Sequence, residues 1–350
     1  MNIFRKGTLL LEEADIVHLI RDKVGLENFL CEVLKTVEEG FKQFATKQIT
    51  VPPRQEFYFN KGTMESMPAS DRDYFSCKIV NTHLENPSRF NIPTIIASGL
   101  LVDGRTGFPI MITESTILTA IRTGIASAIA TKYLAKKGSS IIGIIGNGAQ
   151  ALPQLHSISL VRNIRGVYAY DTDFDSSKSF MRTAGRIFNN LDITIASNSE
   201  SVCSDSDILV TVTCKEKNTS PIVYDKWIRD GIHINAVGGD SPNKIELEKS
   251  LLERAKVVVD FMDQAVYEGE SQQISTDKIF GDLSEIVTNR KVGRINDNEV
   301  TIFDSVGFAM EDLQVYKLVF DLAIKERVGK RVNIASRPKF SKNIYESYFL

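Results

Sequence analysis

A glycine-rich turn after an apolar run is the first stretch whose residues could bind a charged ligand. Residues 141–145 (IIGII) precede the turn 146–151 (GNGAQA), and the acid Asp171 follows about 20 residues later. Backbone N–H groups at the start of the next helix can bind a pyrophosphate, and Gly148 leaves room for its approach. Asp171 can accept hydrogen bonds from ribose hydroxyls and would repel a 2′-phosphate. The stretch therefore predicts a dinucleotide site that prefers NAD to NADP.

A second candidate is an acid that follows two glycines. The predicted strand 233–237 leads through Gly238 and Gly239 to Asp240, and the predicted strand 207–213 ends at Thr213. Because open α/β sheets bind ligands at the carboxyl ends of their strands, Asp240 would project into the dinucleotide crevice. Hydride transfer to or from an amine or alcohol carbon needs a group that takes and returns a proton. We interpret Asp240 as that group; the alternative is a loop that only turns the chain.

Three basic residues could together hold the carboxylate of a substrate. Arg54 and Lys78 fall in predicted strands, where each could equally face solvent. Arg122 lies in an otherwise apolar helix, and a buried guanidinium needs an anion. Glu65, in the segment TMESMP, could bind an ammonium group or could be an ordinary loop acid.

The composition excludes several classes of protein. Lys and Arg number 42 against 44 Asp and Glu in 350 residues, so no charge excess favours nucleic acid or an anionic membrane. No run reaches ~18 apolar residues, and the first residues lack the apolar core of a secretory signal. The four cysteines show no CxxC spacing and the four histidines no paired metal spacing. We therefore expect reduced thiols, a cytoplasmic protein and no metal.

The elements that must position these residues follow from hydrophobic periodicity. Apolar residues at a spacing of four between Phe29 and Phe41 predict an amphipathic helix, and strand-like segments follow at 54–59, 74–80, 94–102 and 109–113. A helix rich in small residues, 115–136, precedes the glycine turn. Strands at 193–196, 207–213, 233–237, 257–260 and 300–304 then alternate with helices. This order predicts an antiparallel α+β domain and a Rossmann-type α/β domain with a mostly parallel sheet, with a last helix at 312–325 and a polar tail that returns to the first domain.

Four motifs resemble the ornithine cyclodeaminase and mu-crystallin family, and the likeness runs from about Arg54 to about Asp312. The combination of GNGAQ, NAVGGD and FDSVG is most similar to bacterial ornithine cyclodeaminases, although Ser241 and Asn243 stand where Cys and Gly are expected. The motifs lie at residues 64–68, 146–150, 234–244 and 301–307.

The resemblance implies roles for individual residues. Asp240 would be the proton donor and acceptor, and Glu65 would meet an amino group at the catalytic centre. The substrate would contact Arg54, Lys78, Arg122 and Val306. The residues implied around NAD are Thr94, Arg122, Gly146, Asn147, Gly148, Ala149, Gln150, Asp171, Thr213, Ile234, Asn235, Ala236, Val237 and Lys244.

The implied activity is the conversion of L-ornithine to L-proline and ammonia, with NAD as a recycled cofactor. The alternatives are lysine as substrate, an amino-acid dehydrogenase or ketimine reductase on the same fold, and a non-catalytic nucleotide-binding protein. The resemblance also implies a homodimer. We assign substrate binding and dimerisation to residues 1–122 with 325–350, and NAD binding to residues 123–324.

Overall fold

The first part of the chain forms one sheet with helices packed against one of its faces. In this computed structural model, which describes residues 7–350, the predicted amphipathic helix buries Phe29, Val33, Val37 and Phe41. The elements are β1 Thr8–Leu11, α1 Glu13–His18, α2 Leu26–Ala45, β2 Gln55–Phe59, β3 Gly62–Ser70, β4 Tyr74–Thr82, α3 Asn86–Phe90, β5 Ile95–Asp103, β6 Pro109–Glu114 and α4 Thr116–Leu134.

The second part alternates strands with helices. Its central strands β7, β10, β11, β12 and β14 are almost completely buried, as expected for parallel strands covered on both faces. The elements are β7 Ile141–Ile145, α5 Ala151–Ser159, β8 Gly166–Tyr170, α6 Phe174–Ile187, β9 Asp192–Ile195, α7 Ser199–Asp205, β10 Ile208–Thr211, β11 His233–Ala236, α8 Lys249–Arg254, β12 Lys256–Val259, α9 Met262–Glu268, β13 Ile279–Asp282, α10 Leu283–Val287, β14 Thr301–Asp304, α11 Ala309–Glu326, β15 Lys330–Val332 and α12 Ile344–Phe349.

The second sheet confirms the predicted Rossmann-type architecture. Its order is β13-β12-β14-β11-β10-β7-β8-β9, and every neighbouring pair is parallel. The chain runs from β7 to β8 and β9 on one side and then crosses to β10 on the other side of β7. The strand order therefore reverses beside β7, which is where α/β sheets bind ligands.

The first sheet is antiparallel, as predicted, except for one parallel pair. Its order is β15-β1-β6-β5-β4-β3-β2, and β1 pairs with β6 in parallel. The other pairs are antiparallel, and β15 brings the tail back to β1 as predicted. Strand β3 was not predicted, and it contains Glu65, so the alternative that Glu65 is an ordinary loop acid is wrong.

Helix α4, which is rich in small residues, packs closely against helix α5 and the nucleotide-binding sheet. A side chain at Gly124 would overlap the Pro153 carbonyl of α5, so the glycine allows the two helices to approach. Ala126, Ala128 and Ala130 are fully buried. This helix places Arg122 between the two sheets.

No helix among residues 7–350 combines the length and apolar character that crossing a membrane requires.

Candidate functional site

The glycine turn between β7 and α5 lies where the strand order reverses. Gly146 has φ +97°, and a side chain there would collide with the Val212 carbonyl. Its N–H donates to the Tyr170 carbonyl at 2.9 Å, which holds the turn against the end of β8. Apart from Gly148 and its two neighbours, no atom of residues 7–350 lies within 4 Å of where a Cβ of Gly148 would be, so this backbone faces open space. A ligand phosphate can therefore reach the N-terminus of α5.

Asp171, at the end of β8, is hydrogen-bonded to the same turn. Its carboxylate accepts from the N–H of Asn147 at 2.7 Å and from the N–H of Asp173 at 2.9 Å. The side-chain oxygen of Gln150 is buried and has no hydrogen-bond partner within the described part of the chain. Buried acceptors are normally paired, and ribose hydroxyls are donors of the kind it lacks. The residues of this turn therefore fit a dinucleotide.

Asp240 lies just beyond β11, at the same edge of the sheet. Its side chain is 32% exposed, and one carboxylate oxygen accepts a hydrogen bond from Lys244 Nζ at 2.8 Å. Burial lowers the pKa of Lys244, but the charge and hydrogen bond of Asp240 together with the charge of Glu246 outweigh burial, and the pKa is raised. Asp240 is thus a partly exposed carboxylate held by a permanently charged lysine, and it is accessible to a ligand in the crevice.

Arg54 is held between two carboxylates. Its Nη1 lies 2.5 Å from Glu65 Oε2, and its Nη2 lies 3.1 Å from Glu268 Oε2. The same Nη2 donates to the Val306 carbonyl at 2.7 Å, while Nε is buried without a partner in the described residues. Burial raises the pKa of Glu268 to about 9, although the charge of Arg54 opposes the rise. The solvent-facing alternative for Arg54 is therefore wrong.

Lys78 is completely buried on the inner face of the first sheet. Its Nζ lies 2.8 Å from Asp312 Oδ2, on α11. Burial and the nearby charge of Arg122 lower the pKa of Lys78 to about 8. The alternative of a strand lysine that faces solvent is therefore wrong for Lys78.

Arg122 is buried, as its apolar helix indicated, and α11 supplies its anions. Its Nη1 lies 3.0 Å from Glu311 Oε2, and its Nε lies 3.5 Å from Asp312 Oδ1. Burial raises the pKa of Glu311 to about 8, against the effect of the Arg122 charge. Asp312 thus contacts both Lys78 and Arg122, and these three residues form one charged group.

The site residues predicted from sequence fall into two neighbouring groups. The basic group contains Arg54, Lys78, Arg122 and Glu65 with the carbonyl of Val306. The second group surrounds the glycine turn and the carboxyl ends of β10 and β11. The residues that follow β14 lie next to the basic group, since Gly307 contacts the Arg122 guanidinium. Thr94 stands just before β5, where its carbonyl accepts from His83 N–H at 2.9 Å, and the described contacts link it to neither group.

Sequence reasoning missed Asp260, which is fully buried and accepts from the Gly307 N–H at 2.8 Å beside Arg122, and six further buried acids around these groups. Those that contact the basic residues lie in α9 and at the start of α11, far from their partners in sequence. No local sequence pattern indicates these buried acids, except that Asp304 lies in the FDSVG motif. The six are Glu246, Glu268, Glu270, Asp304, Glu311 and Asp312.

Comparison with known proteins identifies a family and several relatives. The model of the ornithine cyclodeaminase/mu-crystallin family matches residues 15–327. An ornithine cyclodeaminase of Brucella suis is 35% identical over 323 residues, covering 92% of this chain and 88% of the relative.

Two solved structures share the whole architecture. A lysine cyclodeaminase, studied for its recognition of L-lysine, L-ornithine and L-2,4-diaminobutyric acid, has a TM-score of 0.93 at 31% identity, covering 97% of this chain and 99% of its own. An archaeal alanine dehydrogenase dimer with bound NAD has a TM-score of 0.86 at 35% identity, covering 94% and 99%. Relatives of comparable similarity therefore carry different activities.

Proposed function

The chain belongs to the ornithine cyclodeaminase/mu-crystallin family, and we propose on that premise that it converts L-ornithine to L-proline and ammonia with NAD as cofactor. The observation that carries this proposal is the pairing of Arg54 with both Glu65 and Glu268. Cations for a carboxylate and acidic side chains for ammonium groups lie side by side, as a diamino acid requires. The Brucella relative and the lysine cyclodeaminase structure support this substrate class.

The proposal gives each charged residue a role. Arg54, Lys78 and Arg122 hold the substrate carboxylate, which replaces part of their internal carboxylate contacts. Glu65 accepts a hydrogen bond from an ammonium group, and Asp240 takes a proton from the substrate amine and returns it. The partial exposure of Asp240 beside the end of β11 supports this role.

The cofactor supplies a hydride acceptor and, after reduction, a hydride donor. Oxidation at Cα gives an imine, the δ-amine attacks that carbon, and the bond to the α-nitrogen breaks as ammonia leaves. Reduction of the resulting ring imine yields proline, so the overall reaction consumes no oxidant. The site must exclude water while the imine exists, because water would hydrolyse it.

The NADH balance distinguishes this reaction from the alternatives. With L-ornithine and trace NAD⁺ we expect proline and ammonia in equal amounts, with no NADH accumulating in proportion to product. Ornithine deuterated at Cα should give proline that keeps most of its label. The measurements are absorbance of NADH, product assay and mass spectrometry, with L-alanine as the parallel substrate.

Each other outcome would indicate a different activity of this protein. One NADH per L-alanine or L-ornithine consumed would make the chain a dehydrogenase, as the similarity to the archaeal alanine dehydrogenase allows. Turnover of L-lysine but not L-ornithine would keep the reaction and change the substrate. NAD binding without turnover of any of the three would favour a binding protein.

We also propose that NAD binds with its pyrophosphate at the turn 146–151 and its adenine ribose at Asp171. Asp171→Ser is expected to weaken NAD binding at least about tenfold, since a charge-assisted hydrogen bond is worth about 1.5–3 kcal/mol, and to improve NADP relative to NAD. Isothermal titration with both cofactors measures this. Asp175→Ser, at a side chain that is 88% exposed, is the matched control. Tighter binding of NADP than of NAD to the unchanged protein would contradict the assignment.

The outer face of the first sheet supports a homodimer. Phe57, Met64 and Ile96 are exposed apolar side chains that lie in register across β2 to β5, with the polar Asn81 between Met64 and Ile96, and Phe57 is 57% exposed. Such an apolar patch on a monomer marks an interaction surface, and the archaeal neighbour is a dimer. We expect sedimentation at twice the 39.1 kDa of one chain, and dissociation in Phe57→Glu. A monomeric parent protein at micromolar concentration would exclude this interface.

A further inference from the structure

Three carboxylates lie completely buried beneath the Asp240 loop. Glu246, Glu270 and Asp304 have no exposed surface, and none forms an ion pair within residues 7–350. A buried charge without a cation is costly unless hydrogen bonds compensate it. Each of these side chains therefore needs hydrogen-bond donors, and the donors show which segments of the chain it holds.

Most of the donors are backbone N–H groups. Asp304 and Glu270 each accept from the segment that carries the next acid of the three. Asp304, at the end of β14, accepts from the N–H groups of Glu270 at 2.9 Å and Ser271 at 2.8 Å. Glu270 accepts from the N–H groups of Glu246 at 2.6 Å and Leu247 at 3.1 Å. Each carboxylate thus fixes the segment that carries the next one.

Glu246 completes the series at the ends of two neighbouring strands. Its Oε1 accepts from the N–H of Thr213 at 2.8 Å and from the Thr213 hydroxyl at 2.5 Å. Its Oε2 accepts from the N–H of Gly238 at 3.1 Å. Glu246 therefore fixes the position of the segment after β10 relative to the segment after β11.

Asp240 lies two residues beyond this attachment. A side chain at Gly238 would overlap the Glu246 carboxylate, and a Cβ at Gly239 would lie 2.7 Å from Glu270 Oε1, so the glycine turn rests directly on the two acids. Lys244, two residues before Glu246, pairs with Asp240 itself. The segment 244–246 therefore holds the Asp240 loop at two points. Glu246 binds the backbone N–H of Gly238, and Lys244 binds the carboxylate of Asp240.

We propose that Glu246 is the residue that positions Asp240 for proton transfer, by tying Gly238 to Thr213, and that Glu270 and Asp304 hold Glu246 in place. The proposal rests on the proposed function of Asp240. A carboxylate is needed because three donors converge on two oxygens. A glutamine has only one acceptor oxygen, and its NH₂ group would face a donor. Burial raises the pKa of Glu246, while the donors of Thr213 and the charge of Lys244 oppose that rise.

Glu246→Gln and Glu246→Asp test the proposal together. With L-ornithine and saturating NAD, we expect Glu246→Gln to lower kcat at least 20-fold while KM for ornithine changes less than threefold, because the carboxylate-binding cations are untouched. Glu246→Asp keeps the charge and should retain at least five times the kcat of Glu246→Gln. Hydrogen exchange of the peptides covering 211–213 and 236–240 should accelerate at least tenfold in Glu246→Gln.

The matched control is Asp207→Asn, because Asp207 also accepts two backbone N–H bonds, from Ser140 and Ile141, but at the opposite edge of the sheet. We expect its kcat to stay within twofold of the parent. A folded Glu246→Gln variant with parental kcat and exchange would overturn the proposal, as would equal losses in Glu246→Gln and Glu246→Asp. If Glu246→Gln does not fold, Glu246→Asp is compared with Asp207→Asn instead. The same two measurements, kcat and hydrogen exchange, then decide.

Hydrogen exchange separates this proposal from the proposed function. If the parent protein does not convert ornithine, the proposed function fails, while accelerated exchange confined to 211–213 and 236–240 would still establish that Glu246 holds the loop. If the parent converts ornithine and the exchange of these peptides is unchanged in Glu246→Gln, the positioning role alone fails.

Discussion

Replacing Asp240 by asparagine is expected to lower kcat with L-ornithine by ~10²–10⁴-fold, the range typical of a lost general acid–base group. The amide cannot accept a proton from the substrate amine, although it has almost the same shape. The geometry supports this expectation because Asp240 is partly exposed beside Lys244, whereas Glu246 and Glu270 beneath its loop are fully buried. The measurement is steady-state kinetics with proline as the assayed product.

Binding and folding must be measured in the same variant. NAD affinity is expected to stay within threefold, because Asp171 and the turn 146–151 are unchanged. Thermal unfolding will report the cost of leaving Lys244, whose side chain is 7% exposed, without its partner. Asp230→Asn, at a side chain that is 75% exposed, is the control for a general effect of the substitution. Activity of Asp240→Asn within twofold of the parent would exclude Asp240 as the proton-transfer group.

The nucleotide-binding half of the fold was predictable from local sequence because its signals are local. A strand buried on both faces often appears as a continuous apolar run, and β7 (IIGII) and the first three residues of β10 (ILVT) do so. The glycine turn and Asp171 lie within one strand–helix–strand unit, so their spacing alone implied their proximity.

Strand β3 was missed because its sequence does not look like a strand. GTMESMPAS has weak alternation and contains Pro68, which removes a ladder donor. The strand forms because β2 and β4 pair with it on both sides. Tertiary pairing here overrides local preference, and it also places Glu65 on the inner face with Lys78.

The carboxylate partners of the basic residues were missed for a different reason. Arg122 meets Glu311 across 189 positions of sequence, and Lys78 meets Asp312 across 234. Nothing in a local window relates such residues. The sequence indicated that a buried Arg122 needs an anion but assigned that anion to a ligand, whereas the structure shows that residues of α11 pair with Arg122.

Replacing Lys78 by methionine, which keeps the length of the side chain but not its charge, is expected to raise KM for L-ornithine by about 10–100-fold. A charged hydrogen bond contributes about 1.5–3 kcal/mol, and Lys78 lies in the buried group that we assign to the substrate carboxylate. NAD affinity should change less than threefold, since the glycine turn is remote. Lys35→Met, at a side chain that is 73% exposed, is the control.

The pH dependence gives this prediction a second, independent measurement. Burial and the charge of Arg122 lower the pKa of Lys78 to about 8, with Asp312 opposing and Arg54 adding to the fall. Lys78 therefore loses its proton as pH rises through about 8, and ornithine affinity should fall across that range in the parent protein. Lys78→Met has no proton to lose and should lack this part of the dependence. If Lys78→Met instead keeps the parental KM and the parental pH profile, Lys78 serves only to pair with Asp312, and the substrate carboxylate must bind elsewhere.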